Sequence, residues 1–552
     1  MKMRPLLSAA ALGLGLTVVL LVLLVNHSSV VRADPDTYYV REDAGGDCSE
    51  ANPCGNIQQA IDLAISPGDE VWVATGTYTE NLTINHGLKL RGGWDGSFTA
   101  QNPTGTPAVV DGAGAHVVLV DAAGGAVELC GLALINGQDG IHIDGGNVVV
   151  EQCTILGVNK QGVEIDAGNV LISATQVLTA KHGIEVDAGV VQAVDVHIAH
   201  TSSEGLHLER GGTVTFTGGI IEDCGQEGVH VEDGSLWLFD NYIHDVISDG
   251  IRIEFGASAS IVSNVISAVL DNPGGDCHGI QISGDQLVQG NLIADVDDRG
   301  ICARDGSPII VDNVVYDAGG DGIRTAASSS DVEIRGNIVY GAGNDGIDAR
   351  GTTLIVAGNT VTGCADNGIK VDLVGAWARI DANQGLNNPV GIAIRGVPVF
   401  TLTSNIVGGS IAASVELTGT GTGYVYHNTL VGGGAGLVVL NPLTAHLANN
   451  IIVSHAVGIT DTPGATLVVS RTLLWGNGSD PIIGTGVITQ APLFVAPALQ
   501  NYHIRENSPA VDAGIEVGVA RDVDGDPRLS PPDVGADEIV EQVYLPLVMR
   551  SY

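Results

Sequence analysis

A glycine followed by Ile, Val or Leu recurs at Gly140, Gly162, Gly183, Gly205, Gly228, Gly250, Gly279, Gly300, Gly322, Gly346, Gly368, Gly391, Gly436 and Gly458. Most steps are 21 to 24 residues; one is 29 and one is 45. The step of 45 holds one degenerate coil, in which Ser414 and Val415 take the glycine and apolar places. Self-similarity at a fixed period of this length defines a solenoid, which grows by adding coils and needs no separate cores. Within each unit the residues after the glycine run apolar, any, apolar, as in Ile141 and Ile143 or Ile251 and Ile253. That is strand alternation with one face inward. Helical repeats are excluded, because no unit holds ten residues at helical spacing and glycine is too frequent for helix interiors.

A second landmark lies about fourteen residues after the first, at Asn241, Asn264, Asn291, Asn313, Asn337, Asn359, Asn383, Asn405, Asn428 and Asn450. Asn tolerates a left-handed backbone and bonds to copies of itself in a stack, so a turn ladder is expected.

These two landmarks resemble the right-handed parallel β-helix superfamily, pectate-lyase-like proteins with three short strands per coil and an internal Asn ladder. The resemblance covers roughly residues 70 to 500 and implies an all-β solenoid with coils of about 22 residues. Asn56, Ile57, Ala60, Ile61, Ala64 and Ile65 read as a short amphipathic helix, followed by Pro67, Gly68, Asp69 and a strand at 71–73. The arrangement is similar to the N-terminal cap of secreted β-helices, where a helix shields strand edges that would otherwise recruit other chains. Ser508 to Gly514, then Asp522, Asp524, Gly525, Pro527, Arg528, Asp533, Val534, Gly535, Ala536 and Glu538, resemble the C-terminal choice-of-anchor Q module of bacterial secreted proteins. That resemblance implies surface location and no particular chemistry. The expected organisation is a leader at 1–33, cap and first coils at 34–110, the β-helix at 111–470, the anchor-like module at 471–540, and an apolar tail at 541–552.

Lys2 and Arg4 precede an apolar run at 6–25, and Val31, Arg32 and Ala33 suit a signal peptidase. The run is also long enough to span a bilayer uncleaved. Either way the body is expected outside the cytoplasm, secreted or at the cell surface, with membrane contact only through that segment. The formal charge of the chain is -40, with 63 acidic and 23 basic residues. Removing residues 1–33 takes away Lys2, Arg4 and Arg32 and no acidic residue, which deepens the charge to -43. Such a chain repels phosphate backbones and shows no basic stripe, so nucleic acid is not a partner. It attracts divalent cations instead.

Eight cysteines suit an oxidising compartment. Cys48 and Cys54 form the expected disulfide. Cys130 and Cys153 are about one coil apart and could bridge, whereas Cys224 and Cys364 are six coils apart and cannot. No C-x-x-C pair occurs, so a zinc site is disfavoured, and the histidines show no H-x-x-x-H or H-E-x-x-H spacing.

Four positions after successive glycines stand Asp144, Asp166, Asp187, Glu209, Glu232 and Glu254. Stacked about 4.8 Å apart, these carboxylates would repel unless cations lay between them. His142, Glu164, Glu185, His207, His230 and Arg252 run beside them. Read functionally, the columns form a groove for Ca2+ or for sugar hydroxyls, with oxygen ligands that suit a hard cation. A plainer account is that duplicated coils of an acidic protein copy their surface carboxylates.

Further on, the same positions hold Ser283, Arg304, Ala326, Arg350, Asp372 and Arg395, with Arg324, Asp348 and Lys370 nearer the glycine. Mixed acid and base on one face is what a uronate-processing enzyme needs: a cation against the substrate carboxylate and a base for the adjacent proton. The catalytic candidates are Arg304, Arg324, Asp345, Asp348 and Lys370. His278, beside the 271–277 insertion of the longest coil, joins the binding candidates, since lengthened loops often wall a site. Asn344 to Asp348 resembles an N-T-D-G-I-D motif of polygalacturonases and Asp276 to Ile280 their G-H-G-I, but here the two stand in reverse order. Asp522, Asp524 and Asp526 suggest a calcium loop, but Pro527 occupies the place where the EF-hand needs glycine.

The expected function is a monomeric β-helix that binds extracellular polysaccharide or a cell-envelope component, processing it as a uronate lyase or epimerase if catalytic. The rival is a non-catalytic adhesin or spacer. Low aromatic content favours the rival, since sugar subsites stack rings on Trp or Tyr and the five Trp are scattered in sequence.

Overall fold

The computed structural model describes residues 35–540 except 271–277, 441 and 483. The expected leader, the coil insertion and the apolar tail lie outside these residues. The chain winds about 18 coils at about 22 residues each into an all-β parallel solenoid. A coil such as Val229–Val231, Ser235–Phe239 and Tyr242–Ile247 contributes one strand to each of three sheets. Each strand pairs in parallel with its counterparts one coil before and one after, as Val229 with both Leu206 and Ile251. The degenerate coil keeps register, with Ile392, Val415 and Leu437 aligned.

The recurrent glycine is required for space. A Cβ on Gly205 would lie 2.7 Å from the Gly228 carbonyl oxygen and 2.4 Å from Ile221 Cγ2, and Gly228, Gly250 and Gly279 repeat the pattern. Any side chain there would push neighbouring coils apart.

The Asn ladder runs unbroken from Asn241 to Asn450. Each Nδ2 donates to Oδ1 of the next Asn at 2.9–3.1 Å. The Asn residues do not themselves take the left-handed backbone. The residue before each does so, as at Asp240, Ser263, Asp312, Ala382, Ser404 and His427 with φ between 55° and 58°. The turn therefore bends one residue earlier than expected and points the amide inward. Thr175 and Cys153 begin the ladder line, where the Thr175 hydroxyl accepts the Cys153 N–H.

The capping helix spans Ile57–Leu63, shorter than the apolar spacing suggested; Asn56 caps it and Ile65 lies beyond it, 72% exposed. Glu80 accepts the Ile57 and Gln58 N–H groups at 2.7 and 3.0 Å, and Ile57, Ala60 and Ile61 close the core. Cys48 and Cys54 are disulfide-bonded. Cys130 and Cys153 are both free thiols, because Cys130 aligns with Glu151 and Cys153 sits two residues further round the turn. Trp72 and Trp94, distant in sequence, stack at 3.8 Å on the cap.

Residues 494–540 do not extend the solenoid. They pack along the third sheet, where Phe494, Tyr502, Ala510, Val534 and Ala536 form a second core with Ile406, Ile451 and Leu473. Asp522 is not built as a calcium loop: its buried carboxylate accepts the N–H groups of Asp524, Asp526 and Glu538.

This docking is acid-sensitive by construction. Asn449 donates to His427 Nε2 at 2.9 Å, its orientation fixed by two bonds to the Ile515 backbone, while His427 Nδ1–H donates to the Asp533 carbonyl. Burial and the Arg528 guanidinium lower the His427 pKa from 6.5 to about 3. Once released, the ring takes up a proton more readily than when docked. Its contribution is thus complete above pH 6.5 and is lost as pH falls toward 3, at about 1.4 kcal/mol per pH unit. We expect the protection of amides within 494–540, corrected for the intrinsic exchange rate at each pH, to fall between pH 7 and 5, and His427→Gln to flatten that dependence. An unchanged slope in the variant would remove His427 from the account.

Candidate functional site

Strand alternation sends the first and third residues after each glycine inward and the second and fourth outward. The residue before the glycine, where the chain bends into the strand, folds against the same outer face and is buried. This third column was not anticipated from sequence. It includes Asp139, Gln161, His182, Glu204, Glu227, Asp249, His278, Asp321, Asp345 and Asn367, each no more than 8% exposed.

In the N-terminal half the face is histidine and carboxylate. His142 Nδ1 meets Glu164 at 2.5 Å and Nε2 meets Asp144 at 2.7 Å. Further along, His182 lies 2.6 Å from Glu185 and 3.2 Å from Glu204, and His207 stacks on His230 with ring centres 5.2 Å apart. Burial would raise the Glu204 and Glu185 carboxyls. His230 and Ser203 around the first, and His182, His207 and Gln161 around the second, hold both well below the usual range instead. Against the opposing effect of burial, Glu185 and Glu204 pull the His207 ring upward.

The expected carboxylate column lies outside this buried layer. Asp144, Asp166, Glu209, Glu232 and Glu254 edge the face, while Asp187 is more enclosed and pairs with Arg210. Burial, then the neighbouring Asp166 and Glu185, raise the Asp187 carboxyl, with Arg210 opposing. Tight donor groups such as His142–Asp144–Asp166 and Glu185–His207–Glu209 mix imidazole with carboxylate. Calcium takes six to eight oxygens, so this donor set fits it poorly.

His278 is fully buried. Its Nδ1 is 3.0 Å from Asp249 and its Nε2 is 3.1 Å from Arg299 Nη1. A guanidinium only donates, so Nε2 must be unprotonated, and we assign the neutral ring even though Asp249 and Cys302 outweigh burial and pull its pKa up to about 9. Neither nitrogen is left for a ligand.

In the C-terminal half the catalytic candidates converge, apart from Arg304, which stands on the exposed outer column. Lys370 Nζ is 3.0 Å from Asp345 and 3.6 Å from Asp348; Arg350 forks onto Asp348 at 2.7 and 3.1 Å. Arg324 reaches Asp321 at 3.4 Å and Asp348 at 3.9 Å. Asp345 Oδ1 also accepts the Asn367 N–H and amide. Burial raises the Asp348 carboxyl despite Lys370 and Arg350. Asp345 accepts three hydrogen bonds and Asp348 two, and both side chains are buried beneath their cationic partners, so substrate has no open approach to either carboxylate.

An open groove lies elsewhere, between the second sheet and residues 517–525, with a volume of about 910 Å3. Thr401 and Tyr424 form one outward column there, which His446 continues beyond the groove, and Asp381, Thr403 and Tyr426 form the next. Tyr424 stacks on His446 at 5.4 Å and tilts against Tyr426 at 6.0 Å, while Arg379 pairs with Asp381 at the groove wall. The sequence signal for this platform is Tyr at alternate positions of one strand, which the scattered Trp residues do not reveal.

The chain matches the family model for the right handed beta helix region over residues 110–238, 182–286 and 238–385, together half of its length. It belongs to that family. Solved structures similar to it include pectate lyase Pel9A, with 15% identity over 92% of this chain and 97% of that one and a TM-score of 0.21. A GH87 α-1,3-glucanase catalytic unit from Streptomyces thermodiastaticus shares 15% identity over 84% and 72%, TM-score 0.27. The periplasmic alginate epimerase AlgG shares 12% over 74% and 77%, TM-score 0.24. No activity follows from likeness of this degree. Among curated proteins none matches the chain.

Proposed function

We propose that the protein is a secreted, surface-retained β-helix that binds extracellular polysaccharide without turning it over. The observation that carries this reading is the pair of rings Tyr424 and Tyr426 lining an open groove walled by Arg379, Asp381, Thr401 and Thr403, with His446 stacked against Tyr424. Sugar rings present apolar faces that stack on aromatic rings, and their hydroxyls bond to flanking polar groups. The C-terminal segment completes the groove and, in this reading, also serves retention at the surface. A uronate lyase or epimerase at Arg324, Asp345, Asp348 and Lys370 is the other reading. The burial and ion pairing of both carboxylates weigh against it, because a general base needs a lone pair that substrate can reach.

The test is binding of the purified protein to a panel of uronate and neutral polysaccharides, followed by chain length and ultraviolet absorbance. At least one polymer is expected to bind and remain intact. Tyr424→Ala should weaken that binding about tenfold, and Tyr424→Ala with Tyr426→Ala about a hundredfold. Absorbance from an unsaturated uronate would establish the lyase instead. Full binding by the double variant would move the site away from the groove.

A further inference from the structure

We propose that His182, Glu204 and His207 form a binding site for a zinc-type divalent cation on the outer face of the first sheet. The three come from two successive coils: His182 and Glu204 precede Gly183 and Gly205, and His207 follows Gly205 by two. Their donor atoms lie within 4.8 Å of one another, and the residues are 6%, 8% and 5% exposed.

The hydrogen bonding sets this cluster apart from an ordinary acidic patch. His207 is more than nine-tenths buried, yet neither ring nitrogen makes a hydrogen bond; the carboxylates facing them, Glu185, Glu209 and Glu232, stand 3.5–4.0 Å away. His182 Nδ1 and Glu204 Oε2, though in ion-pair contact, also lack an aligned hydrogen bond. His182 Nδ1 is only 2.6 Å from Glu185 and Nε2 only 3.2 Å from Glu204, so the groups are close without being aimed along each other's bonds. Buried polar atoms are rarely left this way, and several converging at once point to a shared ligand. The His116, Asp139, His142 and Glu164 group upstream differs, because His142 is hydrogen-bonded through both nitrogens.

The donor types select the ion. Imidazole with carboxylate suits zinc and similar divalent transition metals, whereas calcium and magnesium require oxygen shells. Three protein ligands leave a fourth position open to solvent or to an oxygen of a bound molecule. The absence of local histidine spacing is no obstacle, since the coil repeat supplies the proximity: His182 and His207 are neighbours across a coil, with ring centres 5.2 Å apart.

The experiment is titration of the chelator-stripped full chain with Zn2+ alone, and with Co2+ as a spectroscopic probe, in the presence of millimolar Ca2+. We expect a site that binds zinc, gives a visible Co2+ absorption band and is not displaced by calcium. His207→Ala should weaken it at least about 100-fold. Glu204→Gln, which preserves shape, should do the same and decides the matter if His207→Ala fails to fold by circular dichroism. Folded wild-type protein that binds no zinc, or folded variants that bind it with unchanged affinity, overturn the site.

Discussion

Replacing Arg528 with Ala is expected to detach residues 494–540 from the coil stack, at a cost of about 3–5 kcal/mol. The side chain is 3% exposed and its partner Glu538 fully buried, at 3.2 Å. The guanidinium also donates to the carbonyls of Gly535 and Ala536, both at 2.9 Å, and to Ser404 Oγ on the solenoid at 3.3 Å. One planar group thus closes the C-terminal loop and ties it to the coils. Removing it strands a buried carboxylate and unsatisfies several acceptors, the situation in which a buried ion pair is costly to break. Arg528→Lys should recover little, because an ammonium cannot span that fan of acceptors. Arg505→Ala, on an exposed arginine bonded to the Val495 carbonyl, should change stability by no more than about 0.5 kcal/mol. Limited proteolysis and thermal unfolding would read the difference. Equal protection in all three variants would mean that the apolar second core alone holds the segment.

Asn337→Ala should cost a similar amount, about 3–5 kcal/mol, from the middle of the solenoid. Asn337 is fully buried. Its Nδ2 donates to the Ile310 carbonyl at 2.9 Å and to Asn359 at 3.0 Å; its Oδ1 accepts the Asn313 N–H at 2.9 Å and amide at 3.0 Å. Four bonds disappear, and the buried groups they served have no water to turn to. Since coils contact only their neighbours, the damage should centre on the coils of Asn313 and Asn359. The exposed pair Asn147 and Asn169, joined at 3.0 Å, offers the contrast: Asn169→Ala should shift stability by less than about 0.5 kcal/mol. Urea unfolding with hydrogen exchange would compare the two, and equal effects would show that stacking rather than the inner bonds sets the ladder's worth.

The repeat made most of the fold legible. Gly205 and its equivalents mark a contact too close for any Cβ, and the Asn column marks a turn whose amide bonds run along the stack, so both had to recur. Even Ser414, in the glycine's place, stood in the right register. The candidate site was harder to see. His182 and Glu204 precede a glycine, where the sequence carries only a turn signal, and their burial depends on how the chain bends into the strand. Local spacing rules for metal ligands look for neighbours along one element, whereas here neighbours are a coil apart. The Tyr424 platform depends on residues 517–525 returning from about a hundred positions away, a contact that no periodicity encodes.

The glycine line also determines how such a molecule can change length. Each of these glycines touches the coil beside it and nothing beyond, so the stack has no long-range bookkeeping of how many coils it holds. Loss or duplication of one complete coil would move the capping helix and the Tyr424 groove closer together or further apart by about 4.8 Å, with both ends intact. A gain or loss of part of a coil would misalign glycine, ladder and buried column together. Reach is therefore adjustable in whole steps only.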